Sequence, residues 1–212
     1  MRYALGVVCL VLVALVAAPA IQAAEETSLF NGKDLEGWTF RGRIADAENP
    51  FYVKDGVLCC KGQPVGYLRT NEKYDNYVVK VEWRWPAKAG NNGVLLAVQE
   101  GEHFYNDTWP KSIELQLADQ NAGMILTIGE YPLVTGRNEG RVTRTLHPSN
   151  EKPHGEWNTF EASIQDGHMK VLINGQLQNE ATEVAKMPGY IALQSEGAPI
   201  EFRNIRVTVL DK

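Results

Sequence analysis

The sequence has few cysteines and no block of like charge, and both shortages exclude classes of protein. Of its three cysteines one lies in the first ten residues, and the other two, Cys59 and Cys60, are adjacent. Because neighbouring residues of a strand point to opposite faces, we expect two separately packed thiols and no disulfide framework. The formal net charge is −5, and no run of five like charges occurs. This balance predicts no nucleic-acid partner, because binding to phosphates requires a basic face.

Long apolar runs are absent except at the N-terminus. A short positive start is followed by an almost unbroken apolar segment, Tyr3 to Ala18, and then by small residues that end at Ala23 and Ala24. This order is typical of a secretory signal peptide, whereas a membrane anchor would need about 20 apolar residues. The sequence therefore predicts a signal peptide over 1–24, cleaved after Ala23 or Ala24, and a single domain over 25–212. We expect a secreted or periplasmic protein with no membrane partner after cleavage.

Amphipathic helical spacing is also lacking after the leader, and short strands between turns take its place. Asp55-Gly56, Asp166-Gly167 and Asn174-Gly175 are dipeptides typical of tight hairpins. The predicted strands are Val57–Cys60, Tyr77–Trp85, Val94–Val98, Ile113–Leu117, Met124–Ile128, Thr159–Ile164, Met169–Ile173, Tyr190–Gln194 and Ile205–Val209. Many short strands with regular turn signals predict an all-β sandwich or barrel with few or no helices.

Several strands alternate between apolar and polar residues. In Tyr77–Trp85 the odd positions are aromatic or Val, and Lys, Glu and Arg follow at even positions; Ile113–Leu117 shows the same split. Period two places the apolar set in the core and the polar set on the other face. The polar set comprises Glu82, Arg84, Glu114, Gln116, Gln194, Glu196 and Arg203. If their strands are neighbours in one sheet, these residues form a polar floor that suits sugar hydroxyls. The alternative is a solvated outer face with cross-strand ion pairs.

A series of segments in order along the chain resembles the 3-keto-disaccharide hydrolase domain family (DUF1080) from about Ser28 to Leu210. The segments are Ser28–Trp38, Val53–Leu58, Leu68–Thr70 with Tyr74, Glu82–Trp85, Asn91–Val94, Ile113–Leu117, Gly155–Asn158, Asn174-Gly175, Gly189–Gln194 and Phe202–Ile205. The resemblance implies a concanavalin-like jelly-roll sandwich of two antiparallel sheets. It also implies export and action on glycosides whose sugar C3 hydroxyl has been oxidised to a ketone.

The sequence departs from the family pattern at two places. Asn91-Asn92-Gly93 stands where related sequences often carry Asn-Ser-Gly, and Ala97 stands where they often carry Arg. A missing arginine on the polar floor bears on the substrate class and on activity.

A ketone at C3 acidifies the hydrogen at C2, so the implied chemistry needs a base, a group that stabilises an enolate oxygen and an acid for the leaving group. Glu114 is the first candidate for the base, or for a ligand of a hydroxyl or metal, because it sits in mid-strand between core residues. Glu196 is the second candidate for a catalytic carboxylate, and Arg84 and Arg203 are candidates for enolate stabilisation or substrate clamping. The alternative for each arginine is an ion pair with Glu82, Glu114 or Glu201.

The predicted substrate-binding residues are drawn from the floor and from one loop. They are Gln116, Gln194, Arg203, Glu82, His103, Tyr105 and Trp109. The last three lie in the turn-rich stretch Glu100–Lys111, which we interpret as a rim loop with stacking aromatics or, alternatively, as a loop with packed aromatics. Trp157 is expected in the core, and Asn158 is expected to bond a turn.

No cofactor pattern is evident. The histidines are scattered, and no His-Glu-x-x-His or His-x-His motif occurs. A divalent cation held by Glu114 with distant partners is left open.

The sequence favours an exported hydrolase or lyase that cleaves 3-keto-glycosides by C2 proton abstraction, elimination and water addition, with an oligosaccharide or glycoside as its partner. The alternative is a non-catalytic carbohydrate-binding jelly-roll module. A glucanase acting on unoxidised glucan is a weaker reading, because Ile113–Leu117 has a single acidic residue, Glu114.

Overall fold

A computed structural model describes residues 25–101, 103–105 and 107–211, and strands and turns make up the regular structure of these residues. The strands are β1 (Glu26–Ser28), β2 (Trp38–Gly42), β3 (Phe51–Lys54), β4 (Val57–Cys60), β5 (Gly66–Thr70), β6 (Tyr77–Arg84), β7 (Gly93–Val98), β8 (His103–Tyr105), β9 (Trp109–Pro110), β10 (Ser112–Gln116), β11 (Ile125–Ile128), β12 (Val142–Thr143), β13 (Asn158–Gln165), β14 (His168–Ile173), β15 (Gln176–Ala181), β16 (Tyr190–Ser195) and β17 (Ile200–Val209). The described part of the chain has no helix that could span a bilayer. The predicted signal peptide lies outside the described residues.

Two antiparallel sheets form the sandwich. Sheet A has the order β15-β14-β13-β6-β17-β4-β3, with β1 also paired to β17. Sheet B has the order β12-β11-β10-β7-β16-β5-β2, and β8 and β9 form a separate small hairpin. The prediction of an all-β, jelly-roll sandwich of two antiparallel sheets is confirmed.

The predicted hairpin turns have the backbone that their residues favour. At Asn174-Gly175 both central residues have positive φ, 49° and 79°, and Asp55-Gly56 and Asp166-Gly167 repeat this pattern. Positive φ at both positions matches a type I′ turn, whose twist fits the flanking antiparallel strands. These turns fix the registers of β3–β4, β13–β14 and β14–β15.

The main core lies between the two sheets and follows the predicted alternation. On β6, Tyr77, Val79, Val81 and Trp83 are buried, with relative exposures of 0–1%. They belong to one apolar cluster with residues of sheet B that include Val94, Leu96, Ile113, Leu115, Ile191 and Leu193. Cys59 and Cys60 are both buried and free, as the sequence predicted.

The outer faces of the two sheets differ. Even-numbered residues on β6 are partly or fully exposed, whereas all five residues of β10 are buried. Trp109 lies over the outer face of sheet B in a second apolar cluster with Tyr67, Leu95, Val98, Ile128, Tyr190 and Ala192. Polar side chains on this covered face are therefore held away from bulk water, and the candidate site lies there.

Candidate functional site

The polar residues selected from the sequence are divided between the two sheets. Glu114 and Gln116 lie on β10, and Gln194 lies on β16; both strands pair with β7 in sheet B. The predicted single polar floor is therefore wrong. Alternation along a strand identifies which side chains point away from the core. Both sheets have an outer face with the same pattern, so alternation does not tell to which sheet a residue belongs.

Glu82 and Arg84 on β6 and Arg203 on β17 lie on sheet A. The Arg84 Nε donates to Glu201 Oε2 at 2.6 Å, and the Arg203 Nε donates to Glu82 Oε2 at 2.7 Å. These pairs match the alternative interpretation, cross-strand ion pairs. The sandwich core separates them from Glu114, so the structure does not bring Arg84, Arg203 or Glu82 together with the carboxylate selected as base.

Trp157 also lies on the outer face of sheet A, and the expectation of a core position is wrong. It is half-buried, with the guanidinium carbons of Arg84 and Arg203 at 4.6 and 4.1 Å from its ring centroids. The two guanidinium groups lie over the indole ring, and these cation–π contacts stabilise Trp157 at the surface. Asn158 bonds a turn as predicted, since its Oδ1 accepts from the Lys152 N–H and from Asn174 Nδ2, each at 2.8 Å.

Glu114 is the most perturbed carboxyl on sheet B. Its residue is only 5% exposed, and it lies between Leu95 on β7 and Leu126 on β11. Burial, and then the charge of Glu196, raise its pKa to about 7, while Arg141 and the Gln194 amide oppose the rise. Burial disfavours the charged form and a neighbouring like charge adds to the effect, so this carboxyl exchanges a proton near neutral pH.

Gln116 orients Glu114. Its Oε1 accepts from the backbone N–H groups of Leu117 and Ala118 at 3.0 and 2.9 Å, which fixes the amide. The Nε2 then points to Glu114 Oε1 at 3.4 Å. The amide oxygen is thus used by the turn after β10, so Gln116 acts on the carboxyl through its amide hydrogens.

Gln194 supplies a buried amide beside Glu114. Its residue is 1% exposed, and neither amide atom has a well-formed hydrogen bond to a described residue. The Asn92 Nδ2 donates to the Gln194 backbone oxygen at 2.7 Å, so the asparagine that departs from the family pattern anchors this strand. The amide acts on the Glu114 carboxyl but has no well-formed hydrogen bond to the described residues, so it is available for a ligand hydroxyl.

Gly93 makes room between these two side chains. An added Cβ would lie 2.8 Å from Gln194 Oε1 and 3.2 Å from Glu114 Cγ. Glycine at this position therefore lets the amide and the carboxyl approach each other across β7.

Arg141 is the functional candidate that the sequence reasoning missed. It follows Gly140, which has φ 60°, and immediately precedes β12 at the edge of sheet B. Its charge lowers the pKa of both Glu114 and Glu196, while burial raises the pKa of Glu196. The turn-rich stretch before it has no strand periodicity, so no sequence signal placed this cation beside the two carboxyls. It is near them although no arginine stands at Ala97.

Trp109 is a packed loop aromatic. It is 2% exposed, and its ring centroid lies 6.3 Å from that of Tyr67. This matches the alternative interpretation of the loop, because neither ring face is open for a sugar. His103 and Tyr105 lie on β8, which pairs with β9, and their side chains lie outside what the structure describes.

A metal centre is not assembled in the part of the chain that the structure describes. Within 25–101 and 107–211, no group of three His, Cys, Asp or Glu side chains is arranged to hold an ion. The cluster on sheet B therefore offers a carboxyl pair, one guanidinium and two amides, which can move protons and bind hydroxyls and oxyanions.

A model of the 3-keto-alpha-glucoside-1,2-lyase-like domain matches residues 25–208. The chain belongs to this family. A 3-keto-disaccharide hydrolase of Bacteroides thetaiotaomicron is 24% identical, over 87% of this chain and 78% of that protein.

The fold is shared with solved structures. A predicted glycosyl hydrolase from Parabacteroides distasonis has a TM-score of 0.66 and 24% identity, covering 88% of this chain and 94% of its own. The carbohydrate binding module CBM66 from Bacillus subtilis has a TM-score of 0.57 and 7% identity, covering 81% of this chain and 95% of its own. The same sandwich thus occurs in a binding module, so function must be argued from the site.

Proposed function

We propose that the protein is an exported hydrolase or lyase that cleaves 3-keto-glycosides on the outer face of sheet B. The observation that carries the proposal is Glu114, a carboxyl only 5% exposed, whose pKa is raised to about 7 by burial and then by the charge of Glu196. A general base is most effective when its pKa lies near the working pH. The name of the Bacteroides relative supports the substrate class.

The reaction begins with removal of the C2 proton by the Glu114 carboxylate. The electrons of the C2–H bond move into an enolate that ends on the C3 oxygen. The enolate collapses to a C1–C2 double bond as the C1–oxygen bond breaks, and the leaving oxygen takes a proton. Water then adds its oxygen to C1 and a proton to C2, so the net change is hydrolysis.

Each remaining group has a role that follows from its charge. Arg141 supplies the positive charge near the developing enolate oxygen. Glu196, whose charge raises the pKa of Glu114, favours uptake of the C2 proton by Glu114, and the protonated Glu114 then passes this proton to the leaving oxygen. The Gln194 amide, which lacks a well-formed partner among the described residues, binds a sugar hydroxyl.

A non-catalytic carbohydrate-binding module is the second candidate, favoured by the fold shared with CBM66. A binding module needs amides and aromatic rings but gains nothing from a buried carboxyl that titrates near neutral pH. A catalytic function explains why Glu114 is buried and has a raised pKa, and a purely binding function does not.

The test is product formation from a panel of 3-keto-glucosides, followed by mass spectrometry, for the wild type, Glu114→Gln and the exposed control Glu156→Gln. We expect cleavage by the wild type and the control and loss of cleavage in Glu114→Gln. Parallel reactions with a chelator test whether a cation takes part. Saturable binding without cleavage by any of the proteins would instead establish the binding module.

Export is part of the proposal and has its own test. Intact-mass measurement of protein collected from the periplasm or medium should give a chain that begins at Ala24 or Glu25. A full-length chain retained in the cytoplasm would contradict export.

A further inference from the structure

The outer face of sheet B is closed on two sides of Glu114. Toward the start of β10, Ser112 is fully buried, and Trp109 lies over the face at 2% exposure. Toward β16 and β5, the next residues beside Glu114 and in the following row of the sheet are also covered. These residues, with relative exposures of 0–5%, are Leu95, Ala192, Gln194 and Tyr67. A glycoside bound at Glu114 cannot extend in either direction without displacing packed side chains.

Arg141 occupies a third side. It immediately precedes β12, which is separated from β10 by β11. Its charge acts on both Glu114 and Glu196, and the proposed reaction uses this positive charge for the C3 oxygen of the sugar. C1 and C3 are the two ring neighbours of C2, so when C3 faces Arg141 the leaving group on C1 points away from it.

The remaining side is the end of β10, and side chains become accessible there. Glu114 is 5% exposed and Gln116 8% exposed, whereas Glu196, directly after β16, is partly exposed. Asn91, two residues before the Gly93 that pairs with Gln116, is exposed. The opening of the site therefore lies at this end, and a leaving group that extends from a sugar at Glu114 lies in it.

Asn91 and Glu196 are neighbours in this opening. Asn91 forms a backbone bridge with Gly197, the residue directly after Glu196. Neither side chain has a hydrogen bond or ion pair to another of the described residues. An amide donates and accepts hydrogen bonds and a carboxylate accepts them, so together the two groups match the hydroxyls of a sugar. The buried Gln194 amide lies two residues before Glu196 and continues this set of polar groups toward Glu114.

We propose that Asn91 and Glu196 form the subsite for the leaving group, and that Asn91 determines specificity by selecting leaving groups that are sugars over alkyl groups. This inference rests on the proposed function. The Asn91 amide and the Glu196 carboxyl bind hydroxyls of the leaving sugar, while Gln194 binds the 3-keto sugar deeper in the site. A leaving group without hydroxyls gains nothing from this subsite.

The experiment compares 3-keto-glucosyl-glucose with methyl 3-keto-glucoside, which share the 3-keto sugar and differ in the leaving group. The measured quantity is the ratio of kcat/KM for the disaccharide to that for the methyl glycoside. Because the ratio is compared between proteins, the different chemical reactivity of the two leaving groups cancels. In Asn91→Ala the ratio should fall roughly two- to tenfold, as expected for the loss of a hydrogen bond. Gln165→Ala, which removes an exposed amide on sheet A, is the matched control and should keep the wild-type ratio.

The outcomes separate this inference from the proposed function. Turnover of both substrates with the same ratio in Asn91→Ala and wild type overturns the subsite and leaves the function in place. Failure of the wild type to turn over either substrate contradicts the function, and calorimetric binding of the two glycosides then decides the subsite. Tighter binding of the disaccharide, weakened in Asn91→Ala and kept in Gln165→Ala, supports the subsite; equal binding of the two glycosides, or no binding, overturns it.

Discussion

Glu114 lies on β10 and Glu196 directly follows β16, and burial and then the charge of Glu196 raise the pKa of Glu114. Arg141 acts in the opposite direction on both carboxyls. The proton affinity of the base is therefore set by two neighbours of opposite sign as well as by burial. Removing Glu196 should therefore lower the pKa of Glu114, and removing Arg141 should raise it.

The two neighbours should shift the pH dependence in opposite directions. The acidic limb of kcat/KM should lie near pH 7, where Glu114 loses its proton and becomes a base. Glu196→Gln removes a like charge, so the pKa of Glu114 falls and the acidic limb of the pH profile should move to lower pH. Arg141→Met removes an opposite charge, so this pKa rises and the limb should move to higher pH. Arg144→Met, which changes an exposed cation, is the control and should leave the limb in place. Shifts of the same sign in both variants would contradict the arrangement.

Glu114 should cost the protein stability at neutral and alkaline pH. A carboxyl whose pKa rises from 4.5 to about 7 on folding stabilises the fold fully below pH 4.5, and this stabilisation is lost as the pH rises through 7. The loss is roughly 3 kcal/mol for a shift of this size. Glu114→Gln cannot ionise, so its Tm relative to wild type should be higher at pH 8 than at pH 5. A difference in Tm that does not change with pH, as expected for the exposed control Glu156→Gln, would show that Glu114 is not perturbed.

Gly93→Ala should damage the site more than the fold. The added methyl group would lie 2.8 Å from Gln194 Oε1 and must push that side chain aside. The backbone of Gly93 does not have positive φ, so alanine adds no backbone strain, and the Leu115 carbonyl oxygen, 3.2 Å from the added Cβ, needs to move only a few tenths of an ångström. We expect kcat/KM to fall by roughly tenfold or more, because small displacements of positioning groups are costly. Circular dichroism and Tm serve as the fold control, and full activity would mean that the Gln194 amide is not used.

The arginines of sheet A should be dispensable for catalysis. Arg84→Gln and Arg203→Gln break ion pairs on the outer face of the opposite sheet. Partly exposed pairs of this kind contribute about 1 kcal/mol or less, so a small drop in Tm is expected. The kcat of both variants should equal that of the wild type. A large loss of kcat in either variant, with the fold intact, would show that the arginine takes part in catalysis and would contradict this prediction.

The sequence could predict which side chains point away from the core but could not assign their strands to one sheet or the other. Period two identified Glu82 and Glu114 equally well, yet β6 and β10 belong to different sheets, because strand order depends on long-range pairing. Strand β5, which carries Arg69, was missed, since Gly66–Thr70 is buried on both faces and does not alternate. Arg141 was missed because the turn after Gly140 gives no periodic signal. The hairpin turns were predictable, since their dipeptides specify the backbone locally.

The central claim is that Glu114 removes the C2 proton, and the most direct test is cleavage of a 3-keto-glucoside in deuterated water. The position of deuterium in the released sugar is read by NMR and mass spectrometry, and authentic product incubated with enzyme corrects for later exchange. The account predicts deuterium at C2 in the wild-type product and loss of cleavage in Glu114→Gln. Cleavage that leaves hydrogen at C2, or undiminished turnover by Glu114→Gln, would contradict it.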